Sequence, residues 1–248
     1  MKILVCLGNV PDTTTKVKFT DGSVFDKTGV QWIINPWDEL ALTRAIELKE
    51  DSGNSVNLVT VITVGKNDAE PSVRKALAIG ADDAVRIDSE PLDSYTVAKQ
   101  ISEYIKDKDF DIILAGTDSS DYNGSMVGGM VAELLGIPSV SAVSGLSVTG
   151  DHSELTRDID GGKEIIAVPT PYVAVVQKGI AREPRIAAMR GIMMARKKVL
   201  EVVPAASVEP LTEYDSFELP QPKPPCRMVN ADNVEELVDL LQNEAKVL

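Results

Sequence analysis

Apolar positions along the 248-residue chain fall into short β-branched runs separated by stretches of helical period. Residues 3–7 are continuously apolar, as a strand buried on both faces requires. Residues 56–64 form a longer β-branched run, and shorter ones follow at 84–87 and 111–115. Between them, Trp37, Leu40, Ala41, Ala45 and Leu48 recur at three and four residues, predicting a helix from Pro36 to about Glu50. Asn35 is placed to cap that helix, with Pro36 at its first position. Further helices are predicted over 70–79, closed by Gly80, over 93–106 and over 126–135. Strands alternating with helices predict an α/β fold: a mostly parallel sheet flanked by helices, of the Rossmann-like kind that binds adenine nucleotides.

Two parts of the chain depart from this rhythm. A hairpin-like excursion joins residues 17–19 to Val24 and Phe25 through a turn at Asp21 and Gly22. After residue 140 the pattern becomes β-rich, with runs at 140–148, 154–159, 164–168 and 172–176 and turns at Gly150 and Asp151 and at 160–162, read as a largely antiparallel meander. Residues 186–198 fit a short helix with a basic end. From 204 to 225 six prolines interrupt any period, which reads as an extended arm. An amphipathic helix over 232–245 follows, with Val234, Leu237, Leu240 and Leu241 on one face and Asn230 or Asp232 to cap it. Such a face needs the rest of the fold or a partner to cover it. The expected division is a nucleotide-binding domain over 1–203 and, over 204–248, an arm and helix that contact a partner.

Composition narrows the function classes. Lys and Arg total 25 against 38 Asp and Glu, a net charge of −13, which argues against nucleic acid as the main partner. Cys6 and Cys226 lack partners at metal-ligand spacing, and His152 is the single histidine, so neither a zinc site nor a catalytic triad is expected. Cysteine usage and the short apolar start point to a reduced, cytoplasmic setting without a signal peptide. No apolar run reaches the length of a membrane span.

The chemistry is expected at residues 116–130, a loop of small and polar residues between the strand at 111–115 and the helix from 126. It fits two descriptions: an anion site built from backbone N–H groups at a helix N-terminus, or a turn that simply needs glycines. Strand order favours the first, because ligands of open α/β sheets bind at the carboxyl ends of strands. Residues 7–12 and 64–67 leave strands in the same way. Neither GxGxxG nor GxxxxGK[ST] is present. Ser119 and Ser120 lie outside a GxSxG context and read as loop hydroxyls.

Several segments together resemble the β subunits of electron transfer flavoproteins: residues 3–12, 35–41, 76–82, 116–130 and 157–162, then Glu183, Pro184 and Arg185, then 192–198. The resemblance covers nearly the whole chain. It implies an electron carrier subunit rather than an enzyme, in a heterodimer with an α subunit that holds most of the FAD, while the β subunit holds AMP. It further implies electron passage from acyl-CoA or other flavin dehydrogenases to a membrane quinone oxidoreductase, with no insertion in the membrane by this chain. Flavin-bifurcating members carry FAD in the β site and use NADH as donor. A stand-alone nucleotide-binding regulator or hydrolase is the alternative from another class.

Transferred residue by residue, the resemblance places nucleotide contacts at Cys6, Asn35, Pro36, Trp37, Asp38, Val64, Gly116, Thr117, Asp121, Asn123, Gly124, Ser125, Met126, Val127 and Gly128. Asp121 falls at an aspartate associated with the adenosine, and 125–128 would cradle phosphate. Val127 stands where a threonine is common, Thr13 where an aromatic is often found, and Thr117 and Asp118 replace a lysine and a glutamine. AMP and FAD both stay open for the β site. Glu183, Pro184 and Arg185 match the loop that docks dehydrogenases. The family's aliphatic anchor falls on Ala181, and Ile180 beside it is expected to fill that role from the surface.

Overall fold

The β-branched runs become neighbours in one sheet. A computed structural model describes every residue except 21, 23, 52, 54, 150, 151 and 224. The chain runs β1 (Lys2–Cys6), β2 (Asn9–Pro11), β3 (Phe19–Thr20), β4 (Val24–Phe25), β5 (Trp32–Ile34), α1 (Pro36–Glu50), β6 (Leu58–Val64), a 3₁₀ turn (Asn67–Ala69) and α2 (Glu70–Ile79). It continues with β7 (Asp83–Asp88), α3 (Ser94–Ile105), β8 (Ile112–Gly116), α4 (Val127–Leu135), β9 (Ser139–Thr149), β10 (His152–Ile159), β11 (Gly162–Val168) and β12 (Tyr172–Val176). Last come α5 (Met189–Ala195), β13 (Leu200–Pro204), α6 (Val234–Asp239) and a loosely wound π turn (Leu240–Glu244).

Nine strands order as β11-β10-β9-β12-β8-β1-β6-β7-β13. β1 lies between β6 and β8, parallel to both, with Ile3 opposite Val59 on one side and Ile112 on the other. From β1 the chain builds outward through β6 and β7, then crosses back to place β8 on the other side. The boundary between β1 and β8 is therefore a topological switch point, where open α/β sheets leave a crevice at their carboxyl edge. Side chains alternate across β1: Ile3 and Val5 join one apolar layer with Leu42 of α1 and Leu77 of α2, while Leu4 joins the other with Ile101 of α3 and Val131 of α4.

Several details correct the sequence reading. β12 is not part of the antiparallel meander. It inserts between β8 and β9, parallel to both, because all five of its residues are buried and only a central position covers both of its faces. The antiparallel part is β9-β10-β11. β13 was not anticipated; it adds to the edge of the sheet beside β7, with Pro204 at its end, a position where a missing N–H costs little. The last helix is split into α6 and the π turn, and its cap is Asn233, which accepts from the Glu236 N–H at 3.3 Å. Of the expected turns, residues 21, 150 and 151 lie outside the described ones.

By internal contacts the chain forms two units, Met1–Lys16 with Asp26–Asp215, and Val17–Phe25 with Ser216–Leu248. Within the smaller unit, Phe19 stacks on Phe217 at 5.0 Å, and the Phe217 N–H donates to the Gly22 carbonyl at 2.8 Å. The larger unit contains the nine-stranded sheet and everything described below. In it, α5 lies against α2 so closely that a side chain on Gly191 would collide with the Ala78 carbonyl. Arg74 and Lys198 tie the two segments through backbone carbonyls, Arg74 to Ala195 and Lys198 at 3.1 Å and Lys198 to Leu77 at 3.0 Å.

Candidate functional site

The pocket at the switch point is built around one buried carboxylate. Asp38 sits in the first turn of α1, almost wholly buried. Its Oδ2 accepts the Gly8 N–H at 2.8 Å and its Oδ1 accepts the Gly116 N–H at 2.8 Å. The loops that leave β1 and β8 are thereby held together by a single side chain from a third element. Gly116 has to be glycine for this: a Cβ there would lie 2.6 Å from the Trp37 Cβ and collide with the Asp38 carboxylate. Burial pushes the Asp38 carboxyl up to about 6; hydrogen bonds from Gly8, Asn35 and Gly116 oppose this, and the charge of Asp121 adds to it.

Asn35 does more than begin a helix. It makes no side-chain cap on α1. Its amide donates instead to the Asp118 carbonyl at 2.7 Å, and its oxygen accepts the Ser120 N–H at 3.2 Å. The dipeptide Asn35 and Pro36 thus fixes the path of the 116–126 loop from across the crevice. Thr117 continues the hold, donating its N–H to the Val176 carbonyl at 2.8 Å. Asn123 and Ser125 both take positive φ near 50°, so the loop changes direction sharply before α4. Gly128 lets the start of α4 approach the sheet, since a Cβ there would lie 2.7 Å from Val175. Among the described residues α4 has no side-chain cap, and its first N–H groups are the donors a helix start offers to an anion.

Of the residues carried over from the family, Cys6, Asn35, Asp38, Val64, Gly116, Thr117, Asp121, Gly124, Ser125, Met126 and Val127 line one pocket. Pro36, Trp37, Asn123 and Gly128 are not part of this lining, though each neighbours a residue that is. Cys6 lies on its floor, where burial, and after it the charge of Asp38, pushes the thiol up to about 12, so the thiol stays neutral and is no nucleophile.

Other residues join the wall; Lys66 and Tyr122 fall within the expected loops, whereas Lys27, Trp32, the start of α3 and Tyr214 are ones that sequence reasoning missed. The polar lining is acidic: Asp38, Asp68, Glu90, Asp93, Asp118 and Asp121 face two lysines. Lys66 donates to the Asp88 carbonyl at 3.0 Å, and Arg86, nearly fully buried, holds the loop beneath by donating to the Gly65 carbonyl at 2.8 Å and to Asn67 at 2.8 Å. No pattern in the sequence marks Arg86, an arginine inside an apolar strand, as a loop support.

The expected docking segment is arranged differently. Ile180 is 3% exposed and Ala181 is 7% exposed, both within the core, so Ile180 is not the surface anchor expected from the sequence. A positive φ at Gly179 turns the chain after β12 and aims the isoleucine inward. Glu183 and Pro184 are exposed. Arg185 is fixed to α1: its N–H donates to the Thr43 hydroxyl at 2.9 Å, and its guanidinium reaches both Glu50 oxygens at 2.6 and 2.8 Å. The large apolar side chain that does face outward is Ile186, 89% exposed, followed by Met189 and Met193. Residues 178–198 carry Lys178, Arg182, Arg185, Arg190, Arg196, Lys197 and Lys198 against one acid, Glu183, within a chain of net charge −13.

Among the described residues there is no group of acidic, histidine and cysteine side chains able to hold a metal ion, and no helix is long and apolar enough to cross a membrane.

Comparison with known proteins supplies the family. The family model described as electron transfer flavoprotein domain matches residues 22–208. The chain is 36% identical to the electron transfer flavoprotein subunit beta of Bacillus subtilis, over the whole of both chains. It is 31% identical to the protein of the same name from Bradyrhizobium diazoefficiens, again over both full lengths. It is also 33% identical to the acryloyl-CoA reductase electron transfer subunit gamma of Anaerotignum propionicum, over 88% of this chain and 84% of that one. With a family model over most of its length and full-length relatives in agreement, the chain belongs to the electron transfer flavoprotein family, as one of its β subunits with a role in electron transfer.

Proposed function

We propose that this chain pairs with a larger α subunit to form a soluble carrier. The carrier takes electrons from flavin dehydrogenases of the acyl-CoA type and passes them to a membrane quinone oxidoreductase. In this reading FAD is held mainly by the α subunit and supplies the redox chemistry when bound. The present chain contributes a nucleotide pocket and a docking segment, and carries out no group transfer itself.

The observation that carries the reading is the pocket at the switch point, where Asp38 holds the Gly8 and Gly116 loops beside the uncapped start of α4. The residues fit an adenine nucleotide. The N–H groups of 125–128 are suited to phosphate, and Asp121 to ribose hydroxyls, while Gly116 and Gly128 keep side chains out of the way. AMP fits as a structural ligand. FAD in the same pocket, with NADH as donor, is the second reading, favoured by Val127, which brings no hydroxyl to the phosphate end. The docking role falls to Glu183 and Pro184 with Ile186 as the apolar contact, on a basic rim suited to an acidic partner. The name of the Anaerotignum relative supports a CoA-thioester enzyme as that partner.

Co-expression with the α subunit, followed by extraction and counting of nucleotides, tests this. One FAD and one AMP per heterodimer is the expected result. Two FAD would replace the AMP reading, and a stable monomer that turns over nucleotide would overturn both.

A further inference from the structure

The stretch after β13 does not leave the large unit at once. It runs along α3 as a strap over 205–215, held at three points. Buried Gln100 pairs with Ala206 in both directions, donating to its carbonyl at 2.8 Å and accepting its N–H at 2.8 Å. Asp93, whose Oδ1 caps α3 by accepting the Thr96 N–H, uses Oδ2 to accept the Leu211 and Thr212 N–H groups at 2.8 and 3.0 Å. Beyond these ties, Tyr214 stacks on Tyr122 of the 116–126 loop, with ring centroids 4.8 Å apart and planes 19° from parallel.

This pair is not core packing. Both rings are 54% exposed, yet both line the nucleotide pocket. They join two segments: the loop that forms one wall of the pocket and the strap that arrives from β13. Their surroundings sort the ends of the ligand. Asp93, Asp118 and Asp121 share the lining with them, so a phosphate is disfavoured there, whereas a purine and ribose hydroxyls are matched by aromatic faces and carboxylate acceptors.

We propose that the Tyr122–Tyr214 stack is a latch that closes the strap over the adenosine end of the bound nucleotide and sets its rate of exchange. The proposal rests on the pocket's being an adenine-nucleotide site. With the latch closed, the nucleotide leaves only when the rings part. Opening needs no unfolding of the sheet, because the ties at Gln100 and Asp93 hold the strap close by.

Release of radiolabelled AMP from the purified full-length complex, chased with unlabelled AMP, tests it. Tyr214→Ala is expected to speed release about tenfold, on the scale of a lost aromatic pair, while Tyr214→Phe restores slow release. Leu211→Pro removes one N–H tied to Asp93 without touching the core, and is expected to speed release and raise hydrogen exchange over 205–215. The same exchange is expected to fall when AMP binds. AMP retained by both variants at the parental release rate would overturn the latch and leave the pocket reading intact. A parent complex that holds no adenine nucleotide would overturn the pocket reading and the latch with it.

Discussion

The 116–126 loop and the 178–198 segment both follow a parallel strand and lead into a short helix, yet they are made in opposite ways. The first is held from within. Asp38, Asn35 and the Val176 carbonyl take up the backbone groups of Gly116, Thr117, Asp118 and Ser120. The second buries Ile180 and two alanines, Ala181 and Ala195, and turns Ile186, Met189 and Met193 outward among arginines. A loop fixed by buried hydrogen bonds suits a ligand that stays, since the cost of ordering it has been met before binding. A surface of flexible methionines with a charged rim suits a partner that arrives, is steered into place and departs.

The largest effects should separate the two regions by what they lose. Ile180→Asp would place a carboxylate in the core and is expected to lower stability by about 4 kcal/mol, seen as a fall in melting temperature. A variant that melts normally and only docks poorly would place Ile180 at the surface after all. Gly116→Val drives a side chain into Trp37 and Asp38; about 3 kcal/mol of stability and the bound nucleotide should go together, in melting and extraction assays.

Asp38→Asn probes the same knot more gently. An amide cannot accept on both sides, so the Gly8 or the Gly116 N–H loses its partner, at about 1–3 kcal/mol. The substitution also has a pH signature. Because the folded state raises this carboxyl from 3.8 to about 6, the fold holds the proton more tightly than the unfolded chain does. Its contribution to stability is therefore present at low pH and is lost as pH rises through about 6. The gap in melting temperature between parent and Asp38→Asn should change across that window and level off above it. A gap independent of pH would show that the carboxylate titrates normally.

On the docking side, Ile186→Asp should slow electron transfer to a dehydrogenase about tenfold with melting temperature and flavin content unchanged. Glu183→Ala is expected to change that rate by less than about threefold, more at low salt than at high, as for an exposed rim charge. Salt-independent loss of the same size would move Glu183 into the contact itself.

Much of this was legible in the sequence, for identifiable reasons. Continuous β-branched runs marked β1 and β6, the spacing of Trp37, Leu40, Ala41, Ala45 and Leu48 marked α1, and the small residues after β8 marked the ligand loop. What escaped depended on three-dimensional company. The run that forms β12 looks the same whether it pairs with β11 or inserts between β8 and β9; burial of all its residues decides. Asn35 and Asp38 read as helix-start residues, and only their partners at 8, 116, 118 and 120 show them bridging loops. Ile180 sits in a polar stretch, and the backbone turn at Gly179 sends it inward. Tyr214 lies among prolines, with no periodic signal that it returns to Tyr122.

One helix touches both regions. α1 carries Asp38 in its first turn, while Thr43 and Glu50, farther along, grip Arg185. Five residues of helix separate Asp38 from Thr43, about 8 Å of axial rise. Within this chain the switch-point pocket and the 178–198 segment are thus bolted to a single strut, and their spacing is set by covalent geometry. Under the proposed docking role such a strut would work as a gauge block: a partner seated on the segment would meet the pocket's loops at one fixed offset.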